Sequence, residues 1–380
     1  MSAPAFVNAN NEPFRLTPST RIRRSPFYQA TVAAGAQSFT VYNHMLMPTG
    51  YGDPDAEYWR LLNTVSMWDV AVERQIELCG PDAMRLAQLL VPRKLDRLRP
   101  GVGWYVPVCD HRGTLINDPI LLKLSEERCW FSIADGDLAS FARTIGAERG
   151  LDVRVTEPDV SPLAIQGPLA EDVTACLFGD KVRSIKHFHF RDLDLDGMSL
   201  KVARSGWSKQ GGFELYLQDG SLGTELWNRV ALAGASFGIG PGTPNTSERI
   251  ESGLLSWGGD TDDQTNPFEV RMSRFVDLDA PDEVLSIRAL RAIHADGPKR
   301  HQLGVLLGND APYPTTDLWC TVQAGNTALG AVTATAWSPR IERNIGLALV
   351  SRAAAPGDPV EVTLPDGRAI NGELCRVPFL

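Results

Sequence analysis

Apolar and polar positions along the chain change period repeatedly, and each change predicts an element. Gln37 to Tyr42 alternates as a strand does, and Asn43 to Tyr51 follows as an irregular apolar loop that must dock on something. A helical pattern from Asp55 to Leu62 gives way to Met67-Trp68-Asp69-Val70 and the alternating strand Gln75-Ile76-Glu77-Leu78. Pro81 opens a helix with Met84, Ala87 and Leu90 inward, since proline is tolerated in a first turn where its missing donor is not required. A β-hairpin comes next: Gly103 to Val108, a turn at Asp110-His111-Arg112-Gly113, and a return strand from Thr114 to Leu124. A strand from Cys129 to Ala134 leads into a helix from Asp137 to about Ala147, followed by strands near Val153 and Leu163. Pro168 opens a helix ending by Gly179, and Leu200 to Tyr216 forms a further hairpin. Helix and paired strands thus recur twice in the same order. That predicts two related α+β units rather than a doubly wound parallel sheet, which would alternate strand and helix one for one.

Leu222 to Ala233 and Ser247 to Ser256 read as helices, the second announced by Pro244-Asn245-Thr246. Beyond about Pro281 the texture changes. After one helix near Ile287 to His294, short strand-like runs broken by Gly325-Asn326, Pro356-Gly357-Asp358 and Pro365-Asp366-Gly367 predict a separate β-rich C-terminal domain.

With 380 residues the chain is long for a single core, so two or three domains are expected. A formal net charge of −9, with basic residues scattered after Arg21-Ile22-Arg23-Arg24, gives little attraction to phosphate backbones or anionic membranes. No nucleic-acid or membrane partner is expected, and no segment approaches a membrane span. The polar, proline-containing leader lacks the basic head and apolar run of a secretion signal. Six cysteines stand far apart without a Cys-x-x-Cys pair, which argues for reduced, mostly buried thiols in a cytoplasmic protein.

Candidate chemistry concentrates between Arg204 and Tyr216, where a strand enters a turn holding three glycines and re-emerges with Glu214 and Tyr216 two apart. Residues two apart on a strand share a face, so a carboxylate and a phenol look into one cavity, suited to a flat, nitrogen-rich ligand. Trp207, carried where Gly206 lets the backbone pass closely, offers a π-face to a second ligand. A hairpin whose tryptophan caps a core explains the same residues. Asn117-Asp118 breaks an apolar strand; Asp118 must be paired, at a strand end or aimed at a ligand, because burial unpaired is expensive, and a solvated Asp at an edge is the structural alternative. Phosphate-loop, dinucleotide and zinc-protease motifs are absent, no Gly-x-Ser-x-Gly elbow appears, and His187-x-His189 has no third ligand nearby.

Taken together, Asp69-Val70, Gly113 to Asp118, Ala164-Ile165-Gln166-Gly167-Pro168, Ser205-Gly206-Trp207, Gly212-Phe213-Glu214, Glu248 to Leu254 and Ser338-Pro339 with Asn344-Ile345-Gly346 resemble the aminomethyltransferase family of the glycine cleavage system. They occur in the family's order over nearly the full length. Within it, Tyr42 to Leu46, Val70-Ala71-x-Glu73-Arg74-Gln75, Asn117-Asp118-Pro119, Ser132 to Asp135 and Ala203 to Gly212 look like the dimethylsulfoniopropionate (DMSP) demethylase branch. The family's usual Tyr-Thr-Gly-Glu in the Gly-rich turn is replaced by Trp207-Ser208-Lys209-Gln210, which argues against work on a lipoyl protein.

The resemblance implies an α+β, three-domain cloverleaf with tetrahydrofolate in a central channel. Its parts would be a folate-binding unit (1–60 with 155–275), a second α+β unit (61–154) and a C-terminal β-barrel-like domain (280–380). It further implies Asp118, Glu214 and Tyr216 as folate contacts, Trp207 and Tyr105 around the substrate methyl, and Ser132 with Tyr42, Asn43, His44, Met45 and Leu46 at the rest of the substrate. Asp118 and Trp207 are the catalytic candidates; Lys209 and His44 are guesses for the substrate carboxylate, and Arg249 reads as structural. The partner expected is a small sulfonium, with a homodimer as the assembly. Tetrahydrofolate would accept the methyl at N5, yielding 5-methyltetrahydrofolate and methylmercaptopropionate. Two alternatives stay open: demethylation of another onium compound or an aryl methyl ether, and a non-catalytic folate-binding accessory role.

Overall fold

The computed structural model describes residues 17, 19–308, 312, 315 and 318–380. Most of the polar leader, residues 1–16 and 18, lies outside them. The chain forms two compact units, one of Arg21–Pro244 with Arg274–Arg291, the other containing Asn245–Ser273 and Ala292–Leu380.

The first unit is built on two sheets. A six-stranded sheet runs in the order Phe190–Leu195, Met198–Ala203, Gly212–Leu217, Ser161–Gln166, Ser66–Asp69 and Gly240–Gly242, antiparallel except for the last pair. A five-stranded antiparallel sheet runs Arg154–Thr156, Gln75–Cys79, Arg128–Ser132, Ile120–Ser125 and Val102–Tyr105. Two separate apolar cores sit under them. Helices Ala170–Phe178 and Gly223–Gly234 put Val173, Leu226, Trp227 and Val230 against Leu163, Leu200 and Leu215; helices Ala83–Leu90 and Leu138–Glu148 put Leu86, Leu90 and Ala142 against Ile76, Leu121 and Phe131. A smaller cluster of Leu122, Trp130, Phe190, Ala203 and Tyr216 draws on both sheets. Two sheet-and-helix layers, as the repeated pattern predicts, therefore meet within one compact unit.

Three expectations need correction. The apolar run after Tyr42 is not an irregular loop: Met45–Gly50 is a strand paired antiparallel with Ser38–Tyr42. The turn is Asn43-His44, with φ of 49° and 61°, the left-handed pair that matches the twist of a two-residue hairpin. Without glycine in it, the turn gave no signal. The hairpin from Gly103 is also broken: Val102–Tyr105 pairs with Ile120–Ser125, but Val108–Cys109 pairs separately with Leu115–Asn117. Pro107 and Pro119, which have no N–H for a ladder, fall in the two gaps. Finally, the helix expected over Ser247 to Ser256 spans only Thr246–Glu251; Asn245 caps it through Glu248 N–H at 3.0 Å, and Gly253 turns the chain with φ 63°. The strand Phe190–Leu195, not foreseen, was written in the Phe-Arg-Asp-Leu-Asp-Leu alternation.

In the second unit, six antiparallel strands close a barrel: Arg300–Leu307, Arg343–Ser351, Thr327–Ser338, Cys320–Ala324, Pro359–Thr363 and Ala369–Cys375, which returns to the first. Arg249 is tied into the fold of this unit. It pairs with Asp260 at 2.8 Å, both nearly solvent-free, and Thr333 Oγ1 donates to the same carboxylate at 2.6 Å. Glu251 is matched similarly, by Ser338 Oγ at 2.5 Å and Arg340 Nε at 2.9 Å.

Candidate active site

Gln166, wholly buried at the end of its strand, is the peg around which the Gly-rich turn closes. Its Nε2 donates to Ser205 O at 3.1 Å and its Oε1 accepts from Ser208 Oγ at 2.8 Å. A Cβ on Gly206 would stand 1.9 Å from Gln166 Nε2, and one on Gly212 2.3 Å, so neither position admits a side chain. The turn is fixed on both sides of Trp207, which it holds half-buried. The strand that follows places Glu214 and Tyr216 on one face, as the period of two requires: Tyr216 Oη donates to Glu214 Oε2 at 3.0 Å. Ser205 Oγ donates to the same carboxylate oxygen. Burial pushes the Glu214 carboxyl up, while the bonds from Ser205 and Tyr216 pull it back.

Asp118 follows directly on the strand Leu115–Asn117. It sits half-buried in the gap between the broken strands, and Tyr105 Oη donates to its Oδ2 at 2.6 Å. Tyr105 is held in turn by Phe275, edge-on at 5.1 Å, and by Arg93, which donates to the Tyr105 carbonyl at 3.0 Å.

A third carboxylate, Glu73 of the Val70–Gln75 motif, completes the cluster. Glu73 lies in the turn between Ser66–Asp69 and Gln75–Cys79 and accepts from Ser132 Oγ at 3.4 Å. Gln75, fully buried, donates to that hydroxyl at 2.9 Å, while its own Oε1 has no hydrogen-bond partner. Burial first, then Glu214 and Asp118, raise the Glu73 carboxyl well above the ordinary range. Tyr42 and Tyr216 are raised too, by burial and then by these same carboxylates. Asp118, Glu73, Glu214, Ser132, Tyr42 and Tyr216 therefore share one electrostatic environment. The available signal for Glu73 was a charged residue directly after the buried run Val70-Ala71-Val72.

The remaining expected residues lie on the Tyr42–Leu46 hairpin. Asn43 is buried with its amide committed to the fold: it donates to Val72 O at 2.9 Å and Ala134 O at 3.1 Å and accepts from Gly136 N–H at 2.9 Å. It pins the turn. His44 is exposed at the tip, Met45 is in the core, and Leu46 is half-buried. Lys209 is exposed on the Gly-rich turn.

The arrangement is a set of acceptors and aromatic faces, with no group of three or more His, Cys, Asp or Glu among the described residues able to hold a metal ion. Among the same residues no helix is long and apolar enough to cross a membrane.

The GCVT N-terminal domain matches residues 27–280, and the glycine cleavage T-protein C-terminal barrel domain matches residues 300–380. Dimethylsulfoniopropionate demethylase DmdA of Ruegeria pomeroyi is 44% identical over 351 residues, 92% of this chain and 95% of its own. An aminomethyltransferase of Symbiobacterium thermophilum is 28% identical over 375 residues, 94% of this chain and 97% of its own. The crystal structure of glycine cleavage system aminomethyltransferase T from Bartonella henselae has the same fold, with a TM-score of 0.82 at 22% identity, covering 94% of this chain and 98% of that one. Both domains in order, and a full-length relative this similar, establish that the chain belongs to the glycine cleavage T-protein, or aminomethyltransferase, family.

Proposed function

We propose that this protein is a tetrahydrofolate-dependent demethylase that moves a methyl group from DMSP to folate N5. The observation that carries the reading is the 44% identity to DmdA along 92% of the chain, against 28% to an aminomethyltransferase. The site chemistry fits both substrates. Buried carboxylates and the unpartnered Gln75 Oε1 suit the N–H edge of a pterin, and Trp207 with Tyr105 and Tyr42 suits a cation that has no N–H to donate. We assign Glu214, Tyr216 and Asp118 to folate, Trp207 and Tyr105 to the sulfonium methyl, and Ser132 with Tyr42, His44 and Leu46 to the rest of the substrate, while Met45, expected there too, packs in the core. Six free thiols support a reducing, cytoplasmic setting.

Tetrahydrofolate supplies the nucleophile, and DMSP supplies a methyl on sulfur that leaves as a neutral thioether. No acid is needed at the leaving group, so the protein's work is alignment, worth about 7–11 kcal/mol of barrier when the geometry is near attack. A rigid Gln166 peg under the Trp207 turn and a Tyr105–Asp118 hydrogen bond are devices for that. Assaying methyl loss from DMSP, an aryl methyl ether and dimethylglycine, each with and without tetrahydrofolate, tests the proposal. Loss from DMSP alone and only with folate is expected; folate-independent loss, or preference for either other donor, overturns it.

A further inference from the structure

Glu73 has no role in the assignments above, yet it belongs to the same cluster. Its carboxylate is held to Ser132, which Gln75 holds in turn, and the charges bearing on it are the negative ones of Glu214 and Asp118. The other titratable groups facing the cluster are the phenols Tyr42, Tyr105 and Tyr216, with Asp135 beside Tyr42. Arg74, next to Glu73 in sequence, is occupied by Glu157, through Nε at 2.9 Å and again through Nη2. Beside these groups the buried Gln75 Oε1 has no partner, which marks this as a place where a ligand is received.

A carboxylate on which two others bear, in a partly dry site, does not ionise readily in the absence of a cation. Resting on the proposed function, we infer that Glu73 is a specificity-determining residue which reads the sulfonium charge by exchanging it for a proton. In the free enzyme the cluster retains a proton, centred on Glu73. A bound sulfonium replaces that proton, which leaves to solvent. When the methyl moves, the S–CH3 bond breaks with its electron pair going to sulfur and the N5 lone pair forms N–CH3. The proton that N5 must then lose has the emptied cluster as its acceptor. The neutral thioether faces a re-protonated site and has no charge to hold it, so substrate is favoured over product.

The sign is fixed by the raised carboxyl. Cation affinity increases as pH rises through it and levels off above, while affinity for a neutral thioether does not follow that rise. Calorimetry with folate-free enzyme, in buffers of different ionisation heat from about pH 5 to about pH 8, measures protons released on binding without turnover. DMSP and trimethylsulfonium should each release protons from wild type, and methylmercaptopropionate should not. Glu73→Gln should abolish most of that release and weaken both cations roughly ten- to a hundredfold, leaving the thioether within about twofold. Glu73→Asp should restore part of the release. Unchanged proton release in Glu73→Gln, or equal weakening of cations and thioether, overturns the inference. Release with trimethylsulfonium but no folate-dependent turnover of DMSP would instead overturn the proposed function and leave the role of Glu73 standing.

Discussion

Replacing Glu214 by alanine separates the folate assignment from a purely structural reading of the strand. Glu214 is 4% exposed and accepts from two buried donors, Ser205 Oγ and Tyr216 Oη, so its remaining acceptor capacity is what a pterin N–H would use. A hydrogen bond to a charged group is worth about 1.5–3 kcal/mol, so Glu214→Ala should weaken folate roughly ten- to a hundred-and-fiftyfold. Stability should move less than two orphaned hydroxyls would suggest. Each costs about 1–3 kcal/mol, but the substitution also removes a carboxyl that burial already penalises. Glu214→Gln, which keeps an oxygen for Ser205 or Tyr216, should recover stability without recovering affinity. Because the carboxyl is raised, wild-type folate affinity should climb as pH rises through it, and Glu214→Gln should flatten that climb. Titration of folate with a parallel melting curve decides the matter. Wild-type affinity in Glu214→Ala, or affinity lost only in proportion to stability, would refute the assignment.

Other substitutions probe the remaining assignments. Asp118→Asn keeps an acceptor for Tyr105 but removes the charge, and should lower kcat by at least tenfold with Tm near wild type; a fall in Tm that accounts for the activity would make Asp118 structural. Trp207→Phe should raise KM for DMSP several-fold and Trp207→Leu more, as loss of a cation–π contact worth about 0.5–2 kcal/mol requires, with folate affinity unchanged. A Trp207→Leu variant that binds DMSP normally but melts early would mark Trp207 as a core cap. Burial pushes Asp69, which accepts from Ser25 Oγ at 2.5 Å, up to about 6. Its native form therefore holds a proton more tightly than the unfolded chain does. The stability this provides is full below the unfolded value and lost as pH rises through about 6, a change of up to about 3 kcal/mol. Asp69→Asn should flatten that part of the urea-midpoint profile, and an unaltered slope would contradict the linkage.

The parts of this protein that were legible in its sequence are those where local pattern and tertiary role agree. The Glu214–Tyr216 spacing gave a shared face because a strand allows no other outcome, and Asn245 announced its helix through a cap that the structure contains. The barrel was visible in its turns but not in its closure, which depends on pairing Ala369–Cys375 with Arg300–Leu307 far back along the chain. Legibility failed where tertiary contacts override local chemistry. Asn43-His44 turns tightly without glycine because the Asn43 amide is fastened to Val72 and Ala134. Glu73 escaped notice for a related reason. Its importance comes from Glu214, Asp118 and Ser132, none of which is near it in sequence.

Direct transfer moves one methyl group between two substrates on this chain. Incubating the protein with tetrahydrofolate and DMSP carrying carbon-13 in its S-methyl groups, and following the label by NMR, tests it. Label should appear at the N5-methyl of 5-methyltetrahydrofolate, matched mole for mole by methylmercaptopropionate. Label in 5,10-methylenetetrahydrofolate, or thioether formed without labelled folate, would contradict it.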